Sequence, residues 1–168
     1  MAPGKQPQTL NSATTGDFAH SITTGDYAES ATTGRFANSA TTGRYANSAT
    51  TGRYANSATT GRYANSATTG DCADSTTTGR YANSATTGNA SNSAATGDTS
   101  RASAMGRGAV AASIGRDGAA KAALGNWIVC AEWNDGVPVN VRAAQVDGVE
   151  IKADTFYKLS GGAFVELA

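Results

Sequence analysis

Arg44, Arg62 and Arg80 stand eighteen residues apart, and each is followed by a tyrosine, Tyr45, Tyr63 and Tyr81. A guanidinium forks onto carboxylates, and a phenol adds a stacking surface and a hydroxyl. A column of such pairs therefore suits an extended acidic or hydroxyl-rich polymer such as a surface polysaccharide. A second set, Phe18, Phe36 and Tyr54 with Arg35 and Arg53, recurs at the same interval. Mutual shielding of rings and guanidiniums along a sheet is the purely structural alternative for both sets. Covalent chemistry would need a nucleophile beside a base, or ligands gathered round a metal. The serines lack a partnered base, and the single histidine, His20, sits at a position that varies between repeats. Glu132, Asp135, Asp147, Asp154 and Glu166 near the C-terminus show no pairing logic. The chain therefore reads as non-enzymatic, with no cofactor and no metal.

What would place these residues in columns is a repeat. Glycine stands at every ninth position from Gly16 to Gly115, and the nonamer Gly-Arg-Tyr-Ala-Asn-Ser-Ala-Thr-Thr recurs between them almost letter for letter. A unit this short buries a face only by stacking on its neighbours, which makes the chain a solenoid. Counted from the glycine, position 4 (Ala19 to Ala82, then Ser91, Ser100, Ala109 and Gly118), position 6 (Ser21 to Ser93, then alanines) and position 8 (Thr23 to Thr86, then small residues) never carry a charge. Position 5 accepts His20, Glu29, Asp74 and Arg101. Unpaired buried charge is costly and strand side chains alternate, so positions 4, 6 and 8 point inward and 3, 5 and 7 outward. Each unit is one short strand and a Thr-Gly turn, its glycine fitting a corner that needs a positive φ or close approach of the neighbouring turn. No helical face would stay constant over a nine-residue period, and the position-specific exclusion of charge argues against low-complexity disorder.

Side-chain volume selects the cross-section. Ala, Ser and Thr fill only a thin gap between two facing sheets, whereas a three-sided coil would need Leu, Ile or Phe inside. The expected fold is all-β: a two-sided, β-roll-like solenoid with two nine-residue repeats per coil, six to seven coils, and a small C-terminal β cap. Residues 1–6 read as an N-terminal extension, 7–124 as the solenoid and 125–168 as a small β module. From Met105 onward the outward and turn positions become apolar, at Met105, Val110, Ile114 and Leu124, which calls for a cover. The tail holds most of the large hydrophobes, and its turns at Asp135-Gly136, Asp147-Gly148 and Ser160-Gly161-Gly162 mark four or five strands that would cap the open end.

Thirteen Lys plus Arg balance thirteen Asp plus Glu, so no net field draws the chain to nucleic acid or an anionic membrane. The first eight residues contain no signal-peptide h-region, and no run is long and apolar enough to span a bilayer. Cys72 and Cys130 make no disulfide framework. The expected location is cytoplasmic or virion-associated. One glycine per unit, with Arg or Tyr where turn ligands would stand, departs from the calcium-binding β-roll nonapeptide.

Four tail segments, Gly125-Asn-Trp-Ile-Val129, Val146-Asp-Gly148, Lys152-Ala-Asp-Thr-Phe-Tyr157 and Phe164-Val-Glu166, resemble the short C-terminal module that follows nonapeptide repeats in uncharacterised proteins of gut bacteria and their prophages. With the repeats included, the resemblance covers nearly the whole chain. It implies a phage or prophage context, a virion or host-surface appendage, and assigns no functional residue. The combined expectation is a structural or adhesive β-solenoid, a rigid rod or glycan-binding scaffold, with Arg44, Tyr45, Arg62, Tyr63, Arg80 and Tyr81 as ligand-binding residues. Its expected partner is a surface polysaccharide or another copy met through the solenoid faces, with neither nucleic acid nor membrane bound. The alternative is an ice- or crystalline-surface-binding protein, since outward Asn, Ala and Thr at positions 5, 7 and 9 form a regular lattice. Tyr and Arg on the same faces would spoil its flatness.

Overall fold

The computed structural model describes residues 10–167. The expected extension 1–6 and the first residues of the unit beginning at Pro7 lie outside the described residues. Within them the chain is a two-sheet β-solenoid without helix.

The strand of each unit spans positions 5 to 9. In chain order these are β1 (Asn11–Thr15), β2 (His20–Thr24), β3 (Glu29–Thr33), β4 (Asn38–Thr42), β5 (Asn47–Thr51), β6 (Asn56–Thr60), β7 (Asn65–Thr69), β8 (Asp74–Thr78) and β9 (Asn83–Thr87). Shorter strands follow in β10 (Ser93–Ala95), β11 (Arg101–Ala104), β12 (Val110–Ser113) and β13 (Ala119–Ala122). Odd strands β1 to β13 stack in one sheet and even strands in the other. All pair parallel, each residue with the one eighteen ahead, as in Asn47↔Asn65 and Ser48↔Ser66. Two units thus make a coil, and the seven stacked rungs of the odd sheet span roughly 30 Å at about 4.8 Å per rung.

The inward residues are those the charge pattern predicts. Ala28, Ala37, Ala46, Ala55, Ala64, Ala73 and Ala82 are fully buried, as are the serines and threonines of positions 6 and 8 from Ser21 to Thr86. Their hydroxyls find partners across the gap and at nearby carbonyls. From Ser30 to Ser66 each serine bonds across the gap to the serine nine residues back, as Ser39 does to Ser30 at 2.6 Å and Ser48 to Ser39 at 2.7 Å. From Thr32 to Thr68 each inward threonine donates to the carbonyl that opens the next strand, as Thr50 does to Asn56 at 3.3 Å.

The corner combines two backbone constraints. At Gly52 φ is +150°, and any Cβ would collide with the carbonyl of Gly34 one coil earlier; at Gly106, where φ is not positive, the same collision with Gly88 persists. Close approach of successive turns is therefore the constraint common to the array. The left-handed residue is position 3, a feature the sequence reading missed: Phe18, Tyr45 and Tyr63 have φ of 61°, 59° and 60°. A side chain there costs about 1–2 kcal/mol of backbone strain, and Gly108 takes the same position with φ 67°.

The tail ends both sheets in antiparallel hairpins. β14 (Trp127–Asn134) starts as the next parallel rung, Val110↔Trp127, then turns through Asp135-Gly136 into β15 (Val137–Gln145). β16 (Tyr157–Ser160) bridges β13 at Ala120↔Tyr157 and turns through Gly161-Gly162 into β17 (Ala163–Glu166). Ile128, Cys130, Val146, Ile151, Tyr157 and Leu159 close over Ala104, Ala111, Ala120 and Ala122. Buried Asn126 seals the last corner, accepting from Ala109 N–H at 3.1 Å and donating to the carbonyls of Ala104 and Gly106. The tail thus plugs the end of the inter-sheet gap and covers the outer face only locally, where Phe156 packs against outward Arg101 and Lys121 at 5.0 Å. Ile114 remains 42% and Leu124 65% exposed, because β14 and β15 extend their sheet in its own plane instead of folding over it.

Candidate functional site

Positions 1 to 4 make the chain reversal between sheets, so the aromatic columns stand on the two narrow edges of the solenoid and not on the sheets, where the sequence reading put them. Along one edge run Phe18, Phe36 and Tyr54, with ring centroids 5.1 Å apart at both steps. Along the other run Tyr27, Tyr45, Tyr63 and Tyr81, at 5.0, 5.0 and 5.2 Å. Neighbouring ring planes lie within 10° of parallel. Tyr45 and Tyr63 each turn both faces to other tyrosines and are half-buried, so what they offer to solvent is ring edge and hydroxyl. The stacking and the guanidiniums offset the left-handed strain of position 3.

Each arginine lies against the ring that follows it. Arg44 is 5.1 Å from the Tyr45 centroid, Arg62 4.9 Å from Tyr63, and Arg80 4.9 Å from Tyr81. Arg62 also donates to the Tyr63 hydroxyl at 3.3 Å and reaches within 6.0 Å of the Tyr81 ring. All six residues singled out in the sequence therefore meet in one continuous column.

The two edges differ in charge. Position 2 reads Asp17, Arg35, Arg53, Asp71, Asn89 and Arg107 along the Phe18 edge, with at most two arginines in succession. Along the Tyr27 edge it reads Asp26, Arg44, Arg62, Arg80, Asp98 and Arg116. Asp98 is taken by Arg116 at 2.8 Å, and Asp26 accepts from the backbone N–H of Arg44 at 3.4 Å. Among the described residues, ion pairs form at Arg116–Asp98, Lys121–Asp154 and Lys152–Glu166, leaving Arg44, Arg62 and Arg80 without a carboxylate partner. Three like charges about one rung apart repel through water and favour an anion laid across them. Sorting position 2 by alternate units would have found this asymmetry in the sequence.

The broad faces are flat and free of aromatics from the repeats. Asn65 Nδ2 donates to Asn47 Oδ1 at 3.0 Å and Asn83 to Asn65 at 3.0 Å, forming an amide ladder. Alanines such as Ala49 and Ala67 floor a shallow trough of about 540 Å³ beside that ladder. The tyrosines and the position-2 arginines that the sequence reading set against a regular lattice stand off these faces, although Arg101 and His20 project from them.

The tail carboxylates are occupied by local structure. Glu132 accepts from Gly162 N–H at 2.9 Å. The N–H groups of Ile151, then Val149, then Glu150 hold the Asp147 carboxyl below its ordinary range. Glu166 raises the Lys152 ammonium by hydrogen bond and charge, while Asp135 sits in the hairpin turn. His20 is exposed, its Nδ1 3.4 Å from Asn38 Nδ2. Among the described residues no three His, Cys, Asp or Glu side chains gather in a metal-holding group, and no helix is long and apolar enough to cross a membrane. Comparison with protein-family models, curated proteins and solved structures finds no match.

Proposed function

We propose that the protein is a non-enzymatic adhesive rod: a stiff β-solenoid that presents its Tyr27-to-Tyr81 edge to an extended glycan on a cell or phage surface. The observation that carries this reading is the column of Arg44, Arg62 and Arg80 beside stacked Tyr45, Tyr63 and Tyr81, in which no carboxylate neutralises the arginines. The parallel ladder gives the rod its stiffness, since every rung is hydrogen-bonded to the next. The surface setting comes from the resemblance of the repeat and tail to prophage-associated proteins. Binding to a glycan array and to whole cells tests the reading. Replacing all six residues by Ser should abolish binding while the circular dichroism of the rod is retained, and a wild-type protein that binds no glycan overturns it.

The flat faces support a second reading, a binder of ice or another crystalline surface. Rows of Asn, Ala and Thr repeat at the rung spacing, with the tyrosines on the edges and not among them. Thermal hysteresis in dilute solution supports this reading, and its absence dismisses it.

A further inference from the structure

We infer that the recognition edge is a three-rung site for an acidic polysaccharide, bounded at both ends by aspartates; this rests on the glycan-binding reading above. Asp26 precedes Arg44 and Asp98 follows Arg80 in the same edge column, so the run of three unpaired guanidiniums is closed by negative charge on either side. A polymer bearing one carboxylate per sugar can engage Arg44, Arg62 and Arg80 in succession. Its next charge then meets Asp26 or the Asp98–Arg116 pair and gains nothing.

The ring geometry selects the polymer class. Single-stranded nucleic acid binds chiefly by stacking bases on open aromatic faces, and the faces of Tyr45 and Tyr63 are turned to neighbouring tyrosines at 5.0 to 5.2 Å. What remains is a row of phenol hydroxyls and guanidinium forks, matched to sugar hydroxyls and carboxylates. The opposite edge, where Arg35 and Arg53 beside Phe36 and Tyr54 make a run of only two guanidiniums between Asp17 and Asp71, provides an internal control.

The test is calorimetric titration of the full chain with oligogalacturonates of increasing length, with the same oligomers methyl-esterified, and with oligothymidylate. Affinity should rise with length until the oligomer spans three rungs, then level off, and should weaken as salt is added. The variant Arg44→Ser/Arg62→Ser/Arg80→Ser should lose roughly ten-fold in affinity, whereas Arg35→Ser/Arg53→Ser should bind as wild type. Equal binding of the esterified oligomers overturns the acidic specificity and leaves the glycan-binding rod standing. Tighter binding of oligothymidylate, or equal loss in the Arg35→Ser/Arg53→Ser variant, also overturns the inference. No binding of any polymer here or on the array removes both readings.

Discussion

Ser57 Oγ donates to Ser48 Oγ at 2.7 Å, across the gap between the sheets and nine residues back in the chain. The same contact repeats from Ser66 to Ser57 at 2.8 Å and down to Ser30 and Ser21 at 2.7 Å, so a single chain of hydroxyls zigzags along the axis. Each oxygen from Ser30 to Ser57 both gives and receives, and the bonds polarise one another in a dry interior. Ser57→Ala removes the acceptor of Ser66 and the donor to Ser48, and should cost about 1–3 kcal/mol. Adding Ser48→Ala, which shares one of those bonds, should cost less than the sum of the two single changes. Chemical denaturation of the four proteins in that cycle reads the coupling, and strict additivity would show that the hydroxyls act alone.

Ala64 is fully buried and its neighbour Asn65 is exposed. Ala64→Arg should prevent folding of its coil, because it forces a charge and a long side chain between sheets packed on methyl groups. Asn65→Arg gives up only two exposed amide ladder contacts and should shift stability by less than about 1 kcal/mol. Thermal melts separate them, and equal melting temperatures would reject the inside–outside assignment.

Tyr63 combines a φ of 60° with stacking on Tyr45 and Tyr81. Tyr63→Ala loses the stacking and keeps the strain, whereas Tyr63→Gly loses the stacking and releases about 1 kcal/mol of strain. The glycine variant should therefore be the more stable of the two, the reverse of the usual order within a regular element. A lower melting temperature for Tyr63→Gly than for Tyr63→Ala would refute the strained corner.

Burial pushes the Cys130 thiol up from 9.0 to about 12. The fold holds the neutral thiol, so its contribution is intact below pH 9 and is lost as pH rises from there toward 12. A thiol reagent near pH 8 should modify half-buried Cys72 and spare Cys130 until the chain is unfolded. Two equally fast thiols in the native protein would mean that the plug over Cys130 opens readily.

Removing residues 125–168 takes away Ile128, Val146, Tyr157 and Leu159, uncovering Ala120, Ala122 and the free edges of β12 and β13. The shortened chain should aggregate or join end to end. Light scattering from a monodisperse, equally stable truncation would show instead that the tail is dispensable to the array.

The nine-residue period by itself determined the solenoid, and the exclusion of charge from positions 4, 6 and 8 determined which residues face inward, because a thin gap between sheets admits only small uncharged side chains. The eighteen-residue stacking of Tyr45, Tyr63 and Tyr81 was also legible, since small interior residues select two units per coil. Where those rings stand was not. Alternation along a strand says nothing once the chain leaves the sheet, and position 3 leaves it, in a left-handed conformation that propensity would assign to glycine. The course of the tail was hidden for a related reason. Hydrophobicity marked Ile114 and Leu124 as residues to be covered, but only the pairing of β14 beside β12 decides that the hairpin lengthens the sheet in its plane and leaves both exposed.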